Sequence, residues 1–378
     1  MPGKVTISYK ELCKDISAGT KILVDDGKIE LKVKQIEGTD IHCTVINGGM
    51  LGNRKSINIP KTHINLPALK EKDIQDLKDG CKADFDFIAA SFVRNADDVQ
   101  KIREVLDANG GKEIKIISKI ENQEGIDNFA EILKVSDGIM IARGDLGVEI
   151  PIEMVPVMQK IFIKDCQKAG KIVITATQML ESMTEKPRPT RAEVSDVANA
   201  VYDITGAIML SGESAQGKYP VECVELMSRI SKAVEKNLHY DRRFKSVECR
   251  EYDSNYEFKL NHAACATAIE IGAKAIIAYT ETGDTPSILS GFLTGLPIYA
   301  ITSNEKTYRQ LALTWGVFPV LLEEKMHPEA ALSRGIEILK GVKALKEGDI
   351  VIIAGGASIL NDKTYSIMNR TMGGALKI

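Results

Sequence analysis

The 378-residue sequence has little of what marks several specialised classes of protein. Its one tryptophan, Trp315, gives no stacking platform for nucleic acid, and 49 basic against 52 acidic residues leave a net charge of −3 without a basic field. Its seven cysteines are an odd, scattered set without a Cys-x-x-Cys pair, which favours reduced thiols in a cytoplasmic protein. No run approaches roughly 18 consecutive apolar residues, so we expect neither nucleic acid nor a membrane among its partners.

Two common nucleotide-binding loops are also missing. The sequence contains neither GxxxxGK[ST] nor GxGxxG, which argues against a P-loop nucleotidase and a Rossmann dehydrogenase. Its five histidines show no metal-binding spacing and no nucleophile partner, and we interpret them as structural or exposed. What is present, 44% hydrophobic and 27% charged residues, is typical of a folded chain with two or three domains.

Residues 1–65 have the pattern of a small β domain. Short runs rich in β-branched residues alternate with turn signals such as Asp25-Asp26-Gly27. The predicted strands cover residues 5–9, 21–24, 28–34 and 41–46. Such a set of short antiparallel strands favours a small barrel or a cap on a larger domain.

In residues 66–238, apolar strands alternate with amphipathic helices. Near-continuous apolar runs are typical of parallel strands covered on both faces, and here they predict five βα units in a row. The best-marked helix begins at Thr190, which forms a Thr-x-x-Glu capping box with Glu193 after two prolines that block helix formation. The predicted strands cover residues 85–93, 114–120, 138–142, 171–176 and 207–210.

Residues 239–378 repeat the alternation in a separate region. The predicted strands cover residues 274–280, 297–303, 317–322 and 349–354, with helices between them. This pattern favours a C-terminal doubly wound α/β domain.

Polar side chains follow the ends of the middle strands, at the edge where a parallel barrel or open sheet binds its ligands. Lys119 and Glu121 end the second of these strands, and the period of two places them on one face. Asp145 follows the next strand, so two carboxylates lie one unit apart. Such a pair, with waters and substrate oxygens, suits Mg²⁺. Either carboxylate alone is better interpreted as a helix cap, but the pair beside Lys119 favours a metal site.

Lys119 follows three isoleucines, and an ammonium above an apolar floor can stabilise negative charge that develops on a phosphoryl group or an enolate. The alternative is a lysine that extends past core residues into solvent, which its pairing with Glu121 makes the weaker interpretation. Thr177 and Ser211 end the last two strands. Their hydroxyls could bind a carboxylate or join a proton relay, although either one alone is more often a helix cap.

Together these segments resemble pyruvate kinase, and the resemblance covers almost the whole chain. It rests on long and specific motifs: IISKIEN at residues 116–122, IMIARGDLGVEIP at 139–151, TATQMLESM at 175–183, PRPTRAE at 187–193 and MLSGE at 209–213. The resemblance implies an α/β fold made of a (β/α)8 barrel, a small β lid that closes over the site and a C-terminal α/β domain. Residues 1–65, 66–238 and 239–378 would correspond to these three parts.

The resemblance also implies a role for each residue at the strand ends. Glu121 and Asp145 would hold Mg²⁺ or Mn²⁺, and Lys119 would stabilise the phosphoryl group in transit. Thr177 and Ser211 would belong to the relay that protonates the enolate. Lys55 would contact the nucleotide. Substrate binding is assigned to Ser91, Arg94, Lys119, Gly144, Asp145 and Thr177, the last three around the substrate carboxylate.

The implied reaction is the last step of glycolysis, in which phosphoenolpyruvate and ADP give pyruvate and ATP. The resemblance further implies K⁺ as a second cofactor and a homotetramer, with residues 190–201 near a subunit contact. Three departures accompany it. Ile204 and Gly206 replace a glycine and an aspartate of the family pattern, so we expect an altered loop before Met209. Asp284, in the TETGDT loop at residues 280–285, puts a negative charge where an effector's phosphate would lie, so we expect weak or no binding of a sugar phosphate.

The third departure concerns the extent of the chain. A (β/α)8 barrel has eight strands, of which five are predicted here. We therefore expect the chain to lack the first barrel strands, the first half of the lid and the K⁺ ligands, and to be aggregation-prone at exposed edges. Two alternatives stay open. One is a Mg²⁺-dependent barrel lyase or aldolase acting on an oxoacid. The other is an inactive fragment that serves as a binding or assembly module.

Overall fold

The computed structural model describes residues 3–246, 256–355 and 366–371. By its internal contacts the chain divides into two units. The first comprises residues 1–164, 173–203 and 208–228, and the second comprises residues 165–172, 204–207 and 229–378. Within the described ranges, no helix is both long enough and apolar enough to cross a membrane.

The first unit opens with a small antiparallel sheet. Its elements are helix α1 (Leu12–Asp15) and strands β1 (Lys21–Val24), β2 (Ile29–Glu37), β3 (Asp40–Asn47) and β4 (Ile57–Asn58), in the spatial order β3-β2-β1-β4. Apolar side chains from one face of this sheet pack on Leu12 and Ile16 of α1 and its following turn, which gives the sheet a core of its own.

One predicted strand of this region is wrong and one strand was missed. Residues 5–9 are not a strand, whereas β4 pairs with β1 through Leu23 opposite Asn58 and Val24 opposite Ile57. Because β2 occupies the other edge of β1, that strand has no edge left for residues 5–9. Two residues of β4 are too few to show a sequence period.

A parallel sheet with helices follows, most of it in the first unit. The strands are β5 (Phe87–Ala90), β6 (Lys115–Ile120), β7 (Gly138–Ala142), β8 (Ile172–Ala176) and β9 (Ala207–Ile208), in the order β5-β6-β7-β8-β9. The helices are α2 (Glu71–Lys82), α3 (Ala96–Ala108), α4 (Gln123–Asp127), α5 (Phe129–Val135), α6 (Arg143–Glu149), α7 (Val155–Lys168), α8 (Arg191–Tyr202), α9 (Gly212–Ala215) and α10 (Pro220–Glu235), with 3₁₀ turns at Ile152–Met154 and Glu181–Thr184.

The five predicted strands of this sheet are confirmed, most of them shorter than expected. Every residue of β7 is buried, as the uninterrupted apolar run predicts for a strand covered on both faces. Phe129 and Phe162 stack at 4.1 Å between ring centroids and help to close the helical layer. The capping box is also confirmed, because Thr190 Oγ1 accepts a hydrogen bond from Glu193 N and Glu193 Oε2 accepts one from Thr190 N.

The second unit contains a five-stranded sheet in the order β12-β11-β10-β13-β14. Strands β10 to β13 are parallel, and β14 is antiparallel to β13. The strands are β10 (Ala275–Tyr279), β11 (Ile298–Thr302), β12 (Val317–Leu321), β13 (Ile350–Gly355) and β14 (Ser366–Thr371). The helices are α11 (Tyr240–Ser246), α12 (Tyr256–Glu270), α13 (Asp284–Gly291), α14 (Glu305–Leu311) and α15 (Pro328–Gly341).

Four predicted strands of this sheet are confirmed, and β14 was missed. Its sequence, SIMNRT, lacks the apolar run of a central strand because it lies at the edge of the sheet. Cys166 of α7 and Cys265 of α12 are fully buried. Six cysteines of the described chain are free, and Cys249 lies outside the described residues.

The loop before β9 has a backbone conformation that its sequence does not suggest. Ile204 has φ of +60°, a left-handed conformation that glycine adopts without strain and a β-branched residue does not. Its carbonyl accepts a hydrogen bond from Gln167 Nε2 at 2.8 Å, and its side chain is buried. The glycine-like backbone is therefore present here although the glycine is not.

Candidate functional site

The ends of β5 and β6 bring three of the predicted residues together. Lys119 Nζ lies 2.5 Å from Glu121 Oε1 and donates a hydrogen bond to Ser91 Oγ at 2.9 Å. The parallel register places Ala90 opposite Ser118, so Ser91 and Lys119 leave the sheet at the same level. Lys119 and Glu121 therefore share one face, as the strand period predicts.

Glu121 is a buried carboxylate with an unusual set of partners. Its side chain is 1% exposed, and its Oε2 accepts a hydrogen bond from Phe92 N at 2.5 Å. Burial raises the pKa of Glu121, the hydrogen bond and charge of Lys119 oppose that rise, and the charge of Asp145 adds to it. Phe92 has φ of +55°, so a strained backbone directs its N–H at the carboxylate. The cluster of Lys119, Glu121 and Asp145 has an excess of negative charge.

The end of β8 meets the start of α6. Gly144 N donates to Thr177 Oγ1 at 2.7 Å, and the same hydroxyl donates to Ala176 O at 2.6 Å. A Cβ on Gly144 would lie 3.4 Å from Thr177 Oγ1, so glycine permits this close approach. Asp145 follows in the first turn of α6. Gly144, Asp145 and Thr177 thus lie side by side, at adjacent strand ends.

Ser211 carries a buried polar atom without a partner. Its Oγ is the single buried side-chain nitrogen or oxygen in the described chain that makes no hydrogen bond. Its backbone N–H donates to Glu213 Oε2 at 2.8 Å, and Glu213 Oε1 accepts from Leu180 N at 3.1 Å. An unpartnered buried hydroxyl costs free energy in the folded chain, which is typical of a group kept for a ligand or a reaction.

Two predicted residues have other partners. Arg94 donates from Nε to Asp98 Oδ2 at 3.1 Å and from Nη1 to Ile64 O at 3.2 Å. Lys55 pairs with Asp25 Oδ1 at 2.9 Å in the small sheet, and its hydrogen bond holds the pKa of Asp25 below the usual range. The contacts of Arg94 and Lys55 thus join them to structural partners and not to the cluster around Lys119.

Sequence reasoning missed two residues of this edge. Glu213, fully buried, joins the loops after β8 and β9, and Arg143, 7% exposed, extends from α6 to the end of β8. Both stand in the motifs quoted above, but their targets are backbone groups more than 30 residues away in the chain. No pattern of side chains in the sequence could have indicated those targets.

The donors at this edge fit a hard divalent cation. In the three described ranges, no three His, Cys, Asp or Glu side chains form a group that could hold a metal by themselves. Glu121 and Asp145 provide two carboxylates, and burial, with a smaller contribution from the charge of Asp145, raises the pKa of Glu121. Mg²⁺ and Mn²⁺ accept such partial sites. Mg²⁺ in particular retains several bound waters and takes further ligands from substrate phosphates.

Comparisons with known proteins agree with this architecture. Residues 2–224 match the family model "Pyruvate kinase, barrel domain", and residues 259–369 match "Pyruvate kinase, alpha/beta domain". The pyruvate kinase of Clostridium perfringens is 51% identical over 354 residues, which are 93% of this chain and 75% of that protein. Those of Clostridium acetobutylicum and Sporosarcina psychrophila are each 47% identical, over 93% and 96% of this chain and 74% and 62% of their own lengths.

The sheet topology and the two family models place this chain among the α/β enzymes that have a barrel domain and a C-terminal α/β domain. The chain belongs to the pyruvate kinase family. Its function is accordingly that of a kinase, a transferase of glycolysis.

Proposed function

We propose that this protein transfers the phosphoryl group of phosphoenolpyruvate to ADP, giving pyruvate and ATP, with the edge described above as its active site. The observation that carries the proposal is the contact between Lys119 and buried Glu121 at the end of β6, beside Asp145. Phosphoryl transfer needs charge neutralisation and alignment more than covalent chemistry, and a lysine with two carboxylates for a metal supplies both.

Glu121 and Asp145 would hold the divalent cation, Mg²⁺ or Mn²⁺. When bound, the cation neutralises negative charge on the phosphate and carboxylate oxygens of the substrates. Without it, two carboxylates would face a triply charged substrate, and Lys119 alone would not balance them. We assign no residue of the described chain to K⁺.

Lys119 would neutralise the phosphoryl group in transit. Its side chain is 21% exposed and its ammonium is already oriented by Glu121 and Ser91, so little reorganisation is required when charge develops. Gly144, Asp145 and Thr177 would bind the substrate carboxylate. The Thr177 hydroxyl already accepts a hydrogen bond from Gly144, so the group that meets the substrate is held in place.

Thr177 and Ser211 would belong to the relay that delivers a proton to the enolate. The unpartnered Oγ of Ser211 has the property such a relay requires, a hydrogen-bonding group without a competing protein partner. Ser91 and Arg94 would assist at the substrate's edge. Arg94 would have to leave Asp98 to do so, and is the weakest of these assignments on geometric grounds.

The remaining proposals concern the parts around the site. Residues 1–65 would act as the lid, 66–238 as the catalytic barrel and 239–378 as the C-terminal α/β domain. Lys55 would leave Asp25 to contact the nucleotide when the lid closes. By analogy with the family, we propose a cytoplasmic homotetramer with residues 190–201 near a subunit contact.

The test is release of pyruvate by the purified chain, measured by coupling to lactate dehydrogenase. We expect turnover that requires both phosphoenolpyruvate and ADP, together with a divalent cation. Pyruvate formed from an oxoacid without ADP would instead support the lyase or aldolase alternative. Absence of turnover with intact folding would support the inactive module, and Mn²⁺ binding would then show whether the metal site is formed.

A further inference from the structure

We propose that Arg143 is a positioning residue, which holds the turn after β8 in a strained conformation and thereby places the Thr177 hydroxyl against Gly144 and Asp145. The proposal rests on the proposed function for its consequence in catalysis, but its structural part stands by itself. Arg143 is the first residue of α6, directly before Gly144, and directly follows β7.

The guanidinium of Arg143 is directed at consecutive backbone carbonyls. Its Nη2 donates to Thr177 O at 2.7 Å, with Gln178 O at 3.5 Å, and its Nε donates to Ala176 O at 3.3 Å. A planar fork with five N–H donors matches such a row of acceptors, whereas a lysine ammonium is a single point charge. Arginine is therefore the side chain that this arrangement requires.

Two further contacts fix the guanidinium from the opposite side. Nη1 donates to Asp196 Oδ1 at 2.7 Å and to Gln159 Oε1 at 3.3 Å. Arg143 is 7% exposed, so its charge is compensated by Asp196 and its donors by five acceptors. An ion pair with Asp196 at the surface would not require the three carbonyl contacts, so these contacts indicate a role for Arg143 beyond charge pairing.

The turn that receives these bonds is strained. Thr177 and Gln178 have φ of +69° and +52°, and neither is glycine. Two successive residues in the left-handed region persist only where surrounding contacts hold them, and a β-branched threonine is poorly suited to that region. The donors of Arg143 reach the carbonyls of both strained residues.

The same turn determines where the Thr177 hydroxyl lies. Arg143 binds the carbonyl of Thr177 while the next residue, Gly144, donates its N–H to the hydroxyl of Thr177 at 2.7 Å. The start of α6 and the end of β8 are thus joined by two opposed contacts, one through a side chain and one through the backbone. Loss of Arg143 would release the turn and with it the hydroxyl.

Hydrogen exchange measured by mass spectrometry tests this without any need for turnover. The variants are Arg143→Lys and Arg143→Met, with Arg103→Met as the matched control. Arg103 also pairs with an aspartate, Asp137, at 3.0 Å and donates to one carbonyl, that of Lys112. Asp137 directly precedes β7, so this pair lies at the amino ends of the strands and not at the edge that carries Thr177. Both Arg143 variants should exchange about tenfold faster in peptides covering residues 143–149 and 176–180, while the control should not.

Equal exchange in these peptides for wild type and Arg143→Lys, or the same acceleration in Arg103→Met, would overturn the proposal. If Arg143→Met does not fold, Arg143→Lys decides, since it keeps the charge opposite Asp196. In the coupled assay, Arg143→Lys should lower kcat by about 100-fold through misplacement of Thr177, with Arg103→Met unchanged. Local acceleration of exchange without turnover in the wild type would refute the proposed function and leave the positioning role supported.

Discussion

Asn58 Nδ2 donates a hydrogen bond to Glu149 Oε1 at 3.0 Å, which joins strand β4 of the small sheet to the last residue of α6. Asn58 is buried, and burial raises the pKa of Glu149 while this hydrogen bond opposes the rise. Since α6 begins with Arg143, Gly144 and Asp145, the contact connects the proposed lid to the helix that carries a proposed metal ligand.

We expect Asn58→Ala to destabilise the protein by about 1–3 kcal/mol at neutral pH, because it leaves a partly buried carboxylate without its donor. The raised pKa of Glu149 sets the pH dependence. A folded-state pKa above the unfolded value penalises folding once the carboxylate ionises, so the loss should diminish as the pH falls and Glu149 takes up a proton. Urea unfolding at pH 7 and pH 5 measures this. Asn47→Ala, which removes an exposed amide contact to Lys28 O, is the control, and an equal loss at both pH values would contradict the prediction.

Replacement of Lys119 by methionine should lower kcat by about 100- to 1,000-fold, since methionine keeps the bulk of the side chain and removes the charge. The pKa of Glu121 should rise further, because Lys119 is the main opposing influence on it. The coupled pyruvate assay measures the rate, and circular dichroism checks the fold. Lys112→Met, at an exposed position just before the same strand, should keep the wild-type rate.

Removal of divalent cations by chelation should abolish turnover, and Mg²⁺ or Mn²⁺ should restore it. Glu121→Gln and Asp145→Asn should each weaken Mn²⁺ binding by at least about tenfold, as each removes one of two charged oxygen ligands. Electron paramagnetic resonance of free Mn²⁺ gives the affinity directly. Glu104→Gln, in the exposed part of α3, is the matched control; the metal site lies elsewhere if only that variant loses affinity.

The capping box of α8 should make stability depend on pH. Although burial acts to raise the pKa of Glu193, hydrogen bonds from Ser182 and Thr190 lower it overall. A depressed folded-state pKa contributes stability above the ordinary glutamate pKa and loses it as the pH falls through the folded-state value.

Glu193→Gln should therefore destabilise the protein by about 1–3 kcal/mol at pH 7 and by much less at the acid end of that window. A series of urea unfolding curves checks the trend, with Glu222→Gln, an exposed carboxylate in the first turn of α10, as control. A constant difference across the series would show that charge at Glu193 does not matter.

The start of α13 should reject a sugar phosphate. Asp284 is the first residue of the helix and accepts a hydrogen bond from Thr282 Oγ1 at 2.6 Å, so a carboxylate already satisfies a donor of the loop. Isothermal titration with a sugar bisphosphate should give no binding in the micromolar range. Asp284→Ser should bind it more tightly than the wild type, and micromolar binding to the wild type would refute the expectation.

Much of the fold could be predicted because the controlling signals are local. The runs that became β7 and β10 are continuous and apolar, β11 is nearly so, and each lies in the interior of its sheet. Strand β7 was predicted with its observed bounds, Gly138–Ala142. The prediction failed at residues 5–9, β4 and β14. Each of those outcomes depends on which sheet edge is available, a property of the assembled sheet.

The position of Lys119, Glu121, Asp145 and Thr177 at the strand ends follows from the order of residues in the chain, because parallel βα units place all strand ends at one edge. The contacts that hold these groups in place, by contrast, form only in the folded protein. The left-handed backbone at Phe92, Thr177 and Gln178, and the contacts of Arg143 with that turn, join residues about thirty positions apart. The intrinsic preferences of these residues oppose a left-handed backbone, so only contacts in the folded protein can stabilise it. For that reason no local sequence pattern predicts these conformations.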